Sequence, residues 1–226
     1  MTDRLLLVRH GVTTWNQEGR FQGRKDPPLA DDGRLEARLL GERLRRDGAA
    51  TSILVVTSPL RRARDTARLL IAALQESGTS PRTMDDERLV EIGQGEWEGR
   101  THDELARTDP ERYAAWANTD QEPPGAEPVP DALARVAEAT EEHAAAPQLA
   151  VCLVSHGGIL RLAARHLMSL EASHAWSMDV DNASLSELQR DEAGEPWRLV
   201  RWNDTSHLLG RTAQHVDEAE GKPLAL

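Results

Sequence analysis

Short apolar runs alternate along the chain with longer segments in which apolar residues recur at helical spacing. The first run, Arg4 to Val8, is continuous and ends abruptly at polar residues, which is typical of a buried strand that leads into a loop. From Leu29 to Arg46, leucines recur at helical spacing behind two acidic residues, which predicts an amphipathic helix. The first predicted unit is therefore a strand, a loop and a helix.

Two more units of the same kind follow. Thr51–Thr57 is apolar and β-branched, and Ser58 with the proline after it supplies an N-cap and a first-turn proline for a helix that reaches about Gln75. Leu149–Val154 is the next apolar run, and the pattern of Ile159–Met168 predicts the helix after it. Repeated strand-to-helix units are typical of an α/β three-layer sandwich, in which a mostly parallel central sheet carries helices on both faces.

The remaining segments complete a single predicted domain. Leu89 to about Pro130 differs in composition, with a Trp-rich stretch and a Pro-Pro-Gly cluster, and we predict that this insertion lies over the strand ends. Ser184–Gln189 and Trp197–Trp202 flank a turn signal and predict an edge hairpin. The expected organisation is one domain over residues 1–209, with the insertion at about 89–130, and a polar tail over 210–226.

Charge and composition exclude several classes of function. The formal net charge of -11 argues against nucleic acid and anionic membrane as partners, because the long-range field repels polyanions. The run Leu5–Val8 is too short for a signal-peptide core, and no stretch approaches the roughly 18 apolar residues of a membrane span, so we expect a cytoplasmic protein. The single cysteine, Cys152, excludes an internal disulfide and fits a buried small apolar residue.

The residues just after the apolar runs are the candidates for chemistry, because an open parallel sheet binds ligands outside the carboxyl ends of its strands. They are Arg9 and His10, Arg61 and Arg62, and His156. Two histidines and several arginines that converge predict a local anion site, suited to phosphate or carboxylate. Taken alone, each histidine fits a structural role and the arginine run fits a solvated helix face. Arg61 gains most from the context because it falls in the first turn of the helix.

Several short sequence blocks occur along the chain in a fixed order. They are Arg9–Thr13 with Trp15-Asn16 and Gly19–Gly23, Ser58–Ala63, Leu89–Glu91, Gly95–Gly99 and Val154–Gly158. In this order they resemble the histidine phosphatase superfamily, which includes cofactor-dependent phosphoglycerate mutases and their phosphatase relatives. The resemblance covers most of the chain. It implies a phosphoglycerate mutase-like fold and a reaction that needs no metal or other cofactor.

The resemblance also implies roles for single residues. His10 is expected to be the nucleophile and Glu91 the proton donor, while Arg9, Arg61 and His156 hold the phosphoryl oxygens. These roles suit phosphoryl transfer, because negative charge spreads over three oxygens and fixed positive donors stabilise it. Further substrate contacts are expected from Asn16, Gln22, Gly23 and Arg62.

Some positions leave alternatives open. Without the resemblance, Glu91 cannot be distinguished from the other acids around it. Trp97 and Trp116 fit buried aromatic packing better than pocket lining. Val12 replaces the glutamate or glutamine usual in the family, and Ala126 replaces a usual glycine. The change at Val12 bears on the substrate more than on the reaction, because it leaves the Arg-His-Gly triplet intact.

Three functions fit these residues to different degrees. A phosphatase passes the phosphoryl group from His10 to water, whereas a phosphoglycerate mutase that depends on 2,3-bisphosphoglycerate must exclude water. The short chain between Trp97 and Pro123 lacks the longer insertion of family mutases, which favours a phosphatase acting on a small phosphorylated metabolite. A non-catalytic phosphate-binding module is disfavoured because the full set of candidate residues is present.

Other phosphatase chemistries fit poorly. A cysteine phosphatase carries an arginine six residues after its nucleophile, but Gly158 stands at that distance from Cys152. No segment has a His-Glu-x-x-His pattern of the kind used in metal-dependent hydrolysis. No heptad or large apolar stripe indicates an interface, so the sequence leaves open whether the chain forms a homo-oligomer.

Overall fold

The computed structural model describes residues 2–48, 53–76, 78, 80–118, 121–147, 150–191 and 195–209. The strands are β1 (Arg4–Arg9), β2 (Ile53–Thr57), β3 (Arg82–Asp85), β4 (Ala150–Ser155), β5 (Leu185–Gln189) and β6 (Arg198–Asp204). The helices are α1 (Thr14–Gln17), α2 (Asp31–Arg46), α3 (Arg61–Gln75), α4 (His102–Thr108), α5 (Pro110–Asn118), α6 (Val129–Ala144), α7 (Gly157–Leu167) and α8 (Ala172–Trp176). No helix in these ranges is long and apolar enough to cross a lipid bilayer.

The strands form one sheet in the order β3-β2-β4-β1-β5-β6. The pairs β2 with β3, β2 with β4 and β1 with β4 are parallel, and β5 and β6 add an antiparallel edge. The predicted mostly parallel sheet and the edge hairpin are therefore confirmed. In the β1–β4 register Arg9 lies opposite Ser155, so the residues that follow, His10 and His156, leave the sheet side by side.

Helices cover both faces of the sheet, as predicted. Leu5 and Leu7 of β1 pack on the side of α6 and α7, while Leu6 and Val8 pack on the side of α2 and α3. Successive residues of a strand point to opposite faces, so a strand covered on both sides must be apolar throughout. Each fully buried leucine or valine contributes about 1.5–3 kcal/mol to folding. This explains the continuous apolar run of β1 and fixes the position of its polar end.

Several predicted details need correction. Helix α3 begins at Arg61 with Leu60 as its N-cap, so the prediction that Ser58 caps it was wrong. Helix α2 begins at Asp31 rather than at Leu29, which forms a bridge with Thr13. Strand β3 and helix α6 were not predicted. The predicted tail, 210–226, and most of the hairpin turn, 192–194, lie outside the described residues.

The predicted insertion begins at the end of one short 3-10 helix, Glu87–Leu89, and contains a second, Gly95–Trp97, together with α4, α5 and the start of α6. Its aromatic side chains pack against the loop that follows β1. Trp97 is 1% exposed and meets the ring of Phe21 edge-on at 5.3 Å, and Trp116 packs on the same cluster. Packing is thus confirmed for both tryptophans. The backbone N–H of Gly99 also donates to the carbonyl of Phe21 at 2.8 Å, which fastens the insertion to the loop.

Candidate active site

Two buried histidines lie together where β1 and β4 end. His10 is 2% exposed and His156 is fully buried, and their ring centroids are 5.2 Å apart. The parallel register of β1 and β4 produces this approach, since each histidine directly follows its strand. The sequence pattern of two similar strand ends therefore predicted a real juxtaposition.

The ring of His10 is held in the orientation that a nucleophile needs. Its Nδ1 lies 2.8 Å from the carbonyl oxygen of Gly11. A carbonyl oxygen only accepts, so Nδ1 carries the proton and Nε2 keeps a free lone pair. Burial, followed by the charges of Arg62 and Arg9, lowers the pKa of His10 well below its ordinary value. The ring is therefore neutral near pH 7.

His156 is fixed in the opposite tautomer. The Nε of Arg62 donates to its Nδ1 at 3.1 Å, and its Nε2 lies 2.8 Å from the hydroxyl of Ser58. An arginine N–H only donates, so Nδ1 accepts and Nε2 carries the proton. Burial, then Arg62, His10 and Arg9, lowers the pKa of His156. In this arrangement the ring of His156 positions Arg62. A direct contact between His156 and a phosphoryl oxygen stays a prediction.

Arg62, rather than Arg61, joins the histidines. Arg62 is fully buried and donates to the carbonyl of Lys25 at 2.6 Å and to that of Gly23 at 2.8 Å. Burial lowers its pKa to about 10, yet it stays charged near pH 7. The side chain of Arg61 is 60% exposed and its Nε lies 3.5 Å from Asp65.

The structure therefore places Arg62, and not Arg61, beside the histidines, which is a correction to the expected position of Arg61. Contact of either arginine with a phosphoryl group stays a prediction. Adjacent helical positions point about 100° apart. Because α3 begins at Arg61 after the N-cap Leu60, the second helical position, Arg62, faces the strand ends. Gly23 was expected to contact the substrate, but its carbonyl accepts a hydrogen bond from Arg62.

Arg9 and Glu91 complete the cluster. Arg9 is 6% and Glu91 3% exposed. The Nη1 of Arg9 donates to the carbonyl of Val180 at 2.5 Å, while burial lowers its pKa and Glu91 raises it. Glu91 accepts from the backbone N–H of Ile92 at 2.9 Å and from that of Gly158 at 3.4 Å. The carboxyl group of Glu91 is thus held beside the start of α7.

Three of the acids near Glu91 in the sequence have partners elsewhere. Asp85 pairs with Arg64 at 2.5 Å, and Asp86 pairs with Arg88 at 2.7 Å. Glu98 accepts from the backbone N–H groups of Arg24 and Gln94. The geometry therefore places Glu91 with the buried arginines, which the local sequence could not decide.

Asn16 and Gln22 lie at the entrance of the loop after β1, joined through Thr13. The Oδ1 of Asn16 accepts from the backbone N–H of Thr13 at 3.1 Å, and the hydroxyl of Thr13 lies 3.0 Å from the Oε1 of Gln22. With both amide oxygens engaged, their NH₂ groups are the ends that can donate to an anion. This fits their expected role as phosphate-side contacts, which stays a prediction.

The arrangement combines two buried guanidiniums, a neutral imidazole with a free lone pair and a buried carboxyl group. Comparison with known proteins bears on its chemistry. The family model described as histidine phosphatase superfamily (branch 1) matches residues 5–205. The chain belongs to this family.

Relatives within the histidine phosphatase superfamily match over most of their length. Phosphoserine phosphatase 1 of Hydrogenobacter thermophilus is 30% identical over 208 residues, 91% of this chain and 94% of that protein. Metal-independent phosphoserine phosphatase of Arabidopsis thaliana is 36% identical over 209 residues, 90% of this chain and 82% of that protein. Mycobacterial glucosyl-3-phosphoglycerate phosphatase, solved with VO3, superimposes with a TM-score of 0.75 at 33% identity, covering 89% of this chain and 99% of that one. These homologues are phosphatases, and the likeness confirms the predicted phosphoglycerate mutase-like fold.

The sequence did not predict two residues that hold the loop carrying His10. The Nδ2 of Asn182 donates to the carbonyl of His10 at 3.0 Å, and the hydroxyl of Thr66 accepts from the backbone N–H of Gly11 at 3.0 Å. Asn182 lies three residues before β5, the hairpin strand that pairs antiparallel with β1. Because β5 is antiparallel to β1, it begins beside the end of β1, so the residues just before β5 lie near His10. The predicted hairpin was the one sequence signal that could have pointed to Asn182.

Proposed function

We propose that this chain is a phosphatase that hydrolyses a small phosphomonoester through a phosphohistidine on His10. The observation that carries the proposal is the free Nε2 lone pair of a buried, neutral His10 beside the charged Arg9 and Arg62. Such a nucleophile is reactive near neutral pH, and fixed guanidiniums stabilise the charge of the transferring group. The names of the phosphatase relatives support the same reaction class.

In the first step the Nε2 of His10 attacks phosphorus, and the bond to the ester oxygen breaks in line. Arg9 and Arg62 stabilise the equatorial oxygens, and Glu91 gives its proton to the departing alkoxide. The Nδ1–H of His10 stays bonded to the carbonyl of Gly11. This contact stabilises the positive charge that the ring gains.

In the second step water is the phosphoryl acceptor. Glu91, now ionised, takes a proton from the water as its oxygen attacks phosphorus, and the N–P bond breaks. Inorganic phosphate leaves, and both His10 and Glu91 return to their starting protonation states. Splitting hydrolysis into two displacements lets one carboxyl group serve as acid and then as base.

The proposal is tested by steady-state hydrolysis of p-nitrophenyl phosphate. His10→Ala is expected to abolish phosphate release, because it removes the attacking atom. The matched control is His174→Ala, an exposed histidine of α8, which is expected to behave like the wild type. Release that survives in His10→Ala, or a folded wild type that releases no phosphate, contradicts the proposal.

A second assay separates hydrolysis from mutase chemistry. Wild-type protein is given 3-phosphoglycerate with 2,3-bisphosphoglycerate, and both 2-phosphoglycerate and free phosphate are measured. Net phosphate release is expected. Rapid conversion to 2-phosphoglycerate with little free phosphate would show that the phosphoryl group returns to a hydroxyl instead of passing to water.

A further inference from the structure

Arg161 is a buried arginine of α7 that the proposed reaction does not use. Its side chain is 2% exposed, and its Nε donates to the carbonyl of Met178 at 2.7 Å. Its Nη1 is buried and has no hydrogen-bond partner within the described residues. Since a buried donor without an acceptor is unfavourable, this N–H group points to a ligand.

A second unpartnered donor lies beside it. The Nε of Arg9 is also buried and has no partner in the part of the chain that the structure describes. A Cβ atom on Gly157 would lie 3.6 Å from Arg161 Nη1 and 3.6 Å from Arg9 Nε. Both donors therefore meet at the first residue of α7, where the helix N-terminus also favours an anion.

This place is next to the proton donor. A Cβ atom on Gly158 would lie 2.8 Å from the Oε1 of Glu91, so Glu91 and Arg161 pack against consecutive residues of the same helical turn. In an in-line displacement the leaving oxygen lies opposite His10 and beside the acid. Arg161 is therefore on the side of the departing alcohol.

We infer that Arg161, together with the Nε of Arg9, binds a carboxylate on the departing alcohol. This inference rests on the proposed function and names its substrate class, phosphate monoesters of hydroxy acids. A planar guanidinium matches a carboxylate well.

The surrounding charges favour a carboxylate over a second phosphate. Burial and the charge of Arg9 together lower the pKa of Arg161 to about 10, while Glu91, Asp179 and Asp181 act in the opposite direction. Of these acids, Asp179 and Asp181 would repel a doubly charged phosphate more strongly than a singly charged carboxylate. A group of one negative charge is therefore the better match.

The test compares 3-phosphoglycerate with glycerol 3-phosphate, which differ in whether a carboxylate or a hydroxymethyl group stands near the ester. Wild-type kcat/KM is expected to favour 3-phosphoglycerate by about 10- to 100-fold, the range of a charged hydrogen bond. Arg161→Met is expected to bring this ratio close to one, and Arg161→Lys to keep part of it. The control, Arg165→Met one helical turn further on, is expected to keep the wild-type ratio.

Each outcome decides the inference. If Arg161→Met lowers kcat/KM for both esters by the same factor, Arg161 only supports Met178 and the inference is overturned. If that variant does not fold, the wild-type ratio decides: a ratio near one overturns the inference, and a high ratio that Arg161→Lys reduces supports it. A wild type that releases no phosphate from either ester or from p-nitrophenyl phosphate overturns the proposed function, and the inference with it.

Discussion

Two neighbouring arginines, Arg61 and Arg62, have opposite environments at the start of α3. Arg62 is buried and its guanidinium is bonded to two loop carbonyls and to His156. Arg61 is exposed and pairs with Asp65 across one helical turn. At the scale of single residues, the position at which α3 begins therefore determines which of the two arginines lies beside His156.

The two arginines give a matched pair of substitutions. Arg62→Ala is expected to lower kcat/KM for p-nitrophenyl phosphate by about 10²- to 10³-fold, as when one fixed transition-state donor is removed. Arg61→Ala is expected to change it less than about threefold, because an exposed ion pair contributes little. Steady-state kinetics of both variants check this. Equal losses, or a larger loss for Arg61→Ala, would show that the structural placement does not govern the reaction.

At the scale of elements, the insertion supports the loop that holds Arg62. Trp97 packs on Phe21, and the carbonyls of Gly23 and Lys25, a few residues on, accept from Arg62. Packing in the insertion is therefore linked to the position of a charged group in the site.

This link predicts the effect of truncating Trp97. Trp97→Ala is expected to lower the free energy of unfolding by about 3–5 kcal/mol, because a fully buried aromatic ring is lost. It is also expected to reduce kcat at temperatures where the variant is still folded. Urea unfolding and kinetics measure both effects, and Trp197→Ala, beside the edge strand β6, is the control for activity. Full kcat in folded Trp97→Ala would disprove the link.

The predictability of the elements follows from their burial. Strands β1, β2 and β4 are buried on both faces and can be recognised in the sequence as apolar runs. All residues of β3 are exposed, so its sequence shows no such pattern. The motifs identified His10, Glu91 and His156, which the structure brings together. The positions of Arg161 and Asn182 near these residues could not be predicted, because they depend on how elements distant in sequence pack together, which sequence spacing does not show.

At the scale of the whole molecule, two buried histidines make stability depend on pH. Burial, with Arg62 and Arg9, lowers the pKa of His10 below the ordinary 6.5, and burial with Arg62 and His10 does the same for His156. As the pH falls through 6.5, the unfolded chain binds protons on these rings and the folded protein does not. Stability is therefore expected to decrease, by up to about 1.4 kcal/mol per pH unit for each ring.

Urea unfolding at about pH 7.5 and about pH 5.5 measures this loss. The loss is expected to be smaller in His156→Gln, which has one titrating ring fewer. Asp86 does not contribute to the loss in this pH range. Burial raises its pKa, but hydrogen bonds with Arg88 and His143 bring the pKa to about 2. The stability that Asp86 contributes is therefore lost only as the pH decreases below 3.8. A loss equal in wild type and variant would contradict the assignment to the buried histidines.

The central claim is that the phosphoryl group passes through His10. The most direct measurement is to mix the protein with a ³²P-labelled phosphomonoester, quench with base within one turnover and locate the label by peptide mapping. The account predicts a label on the peptide containing His10 that is stable in base and labile in acid, and no such label in His10→Ala. Label on another residue, or turnover with no labelled protein at any time, would contradict it.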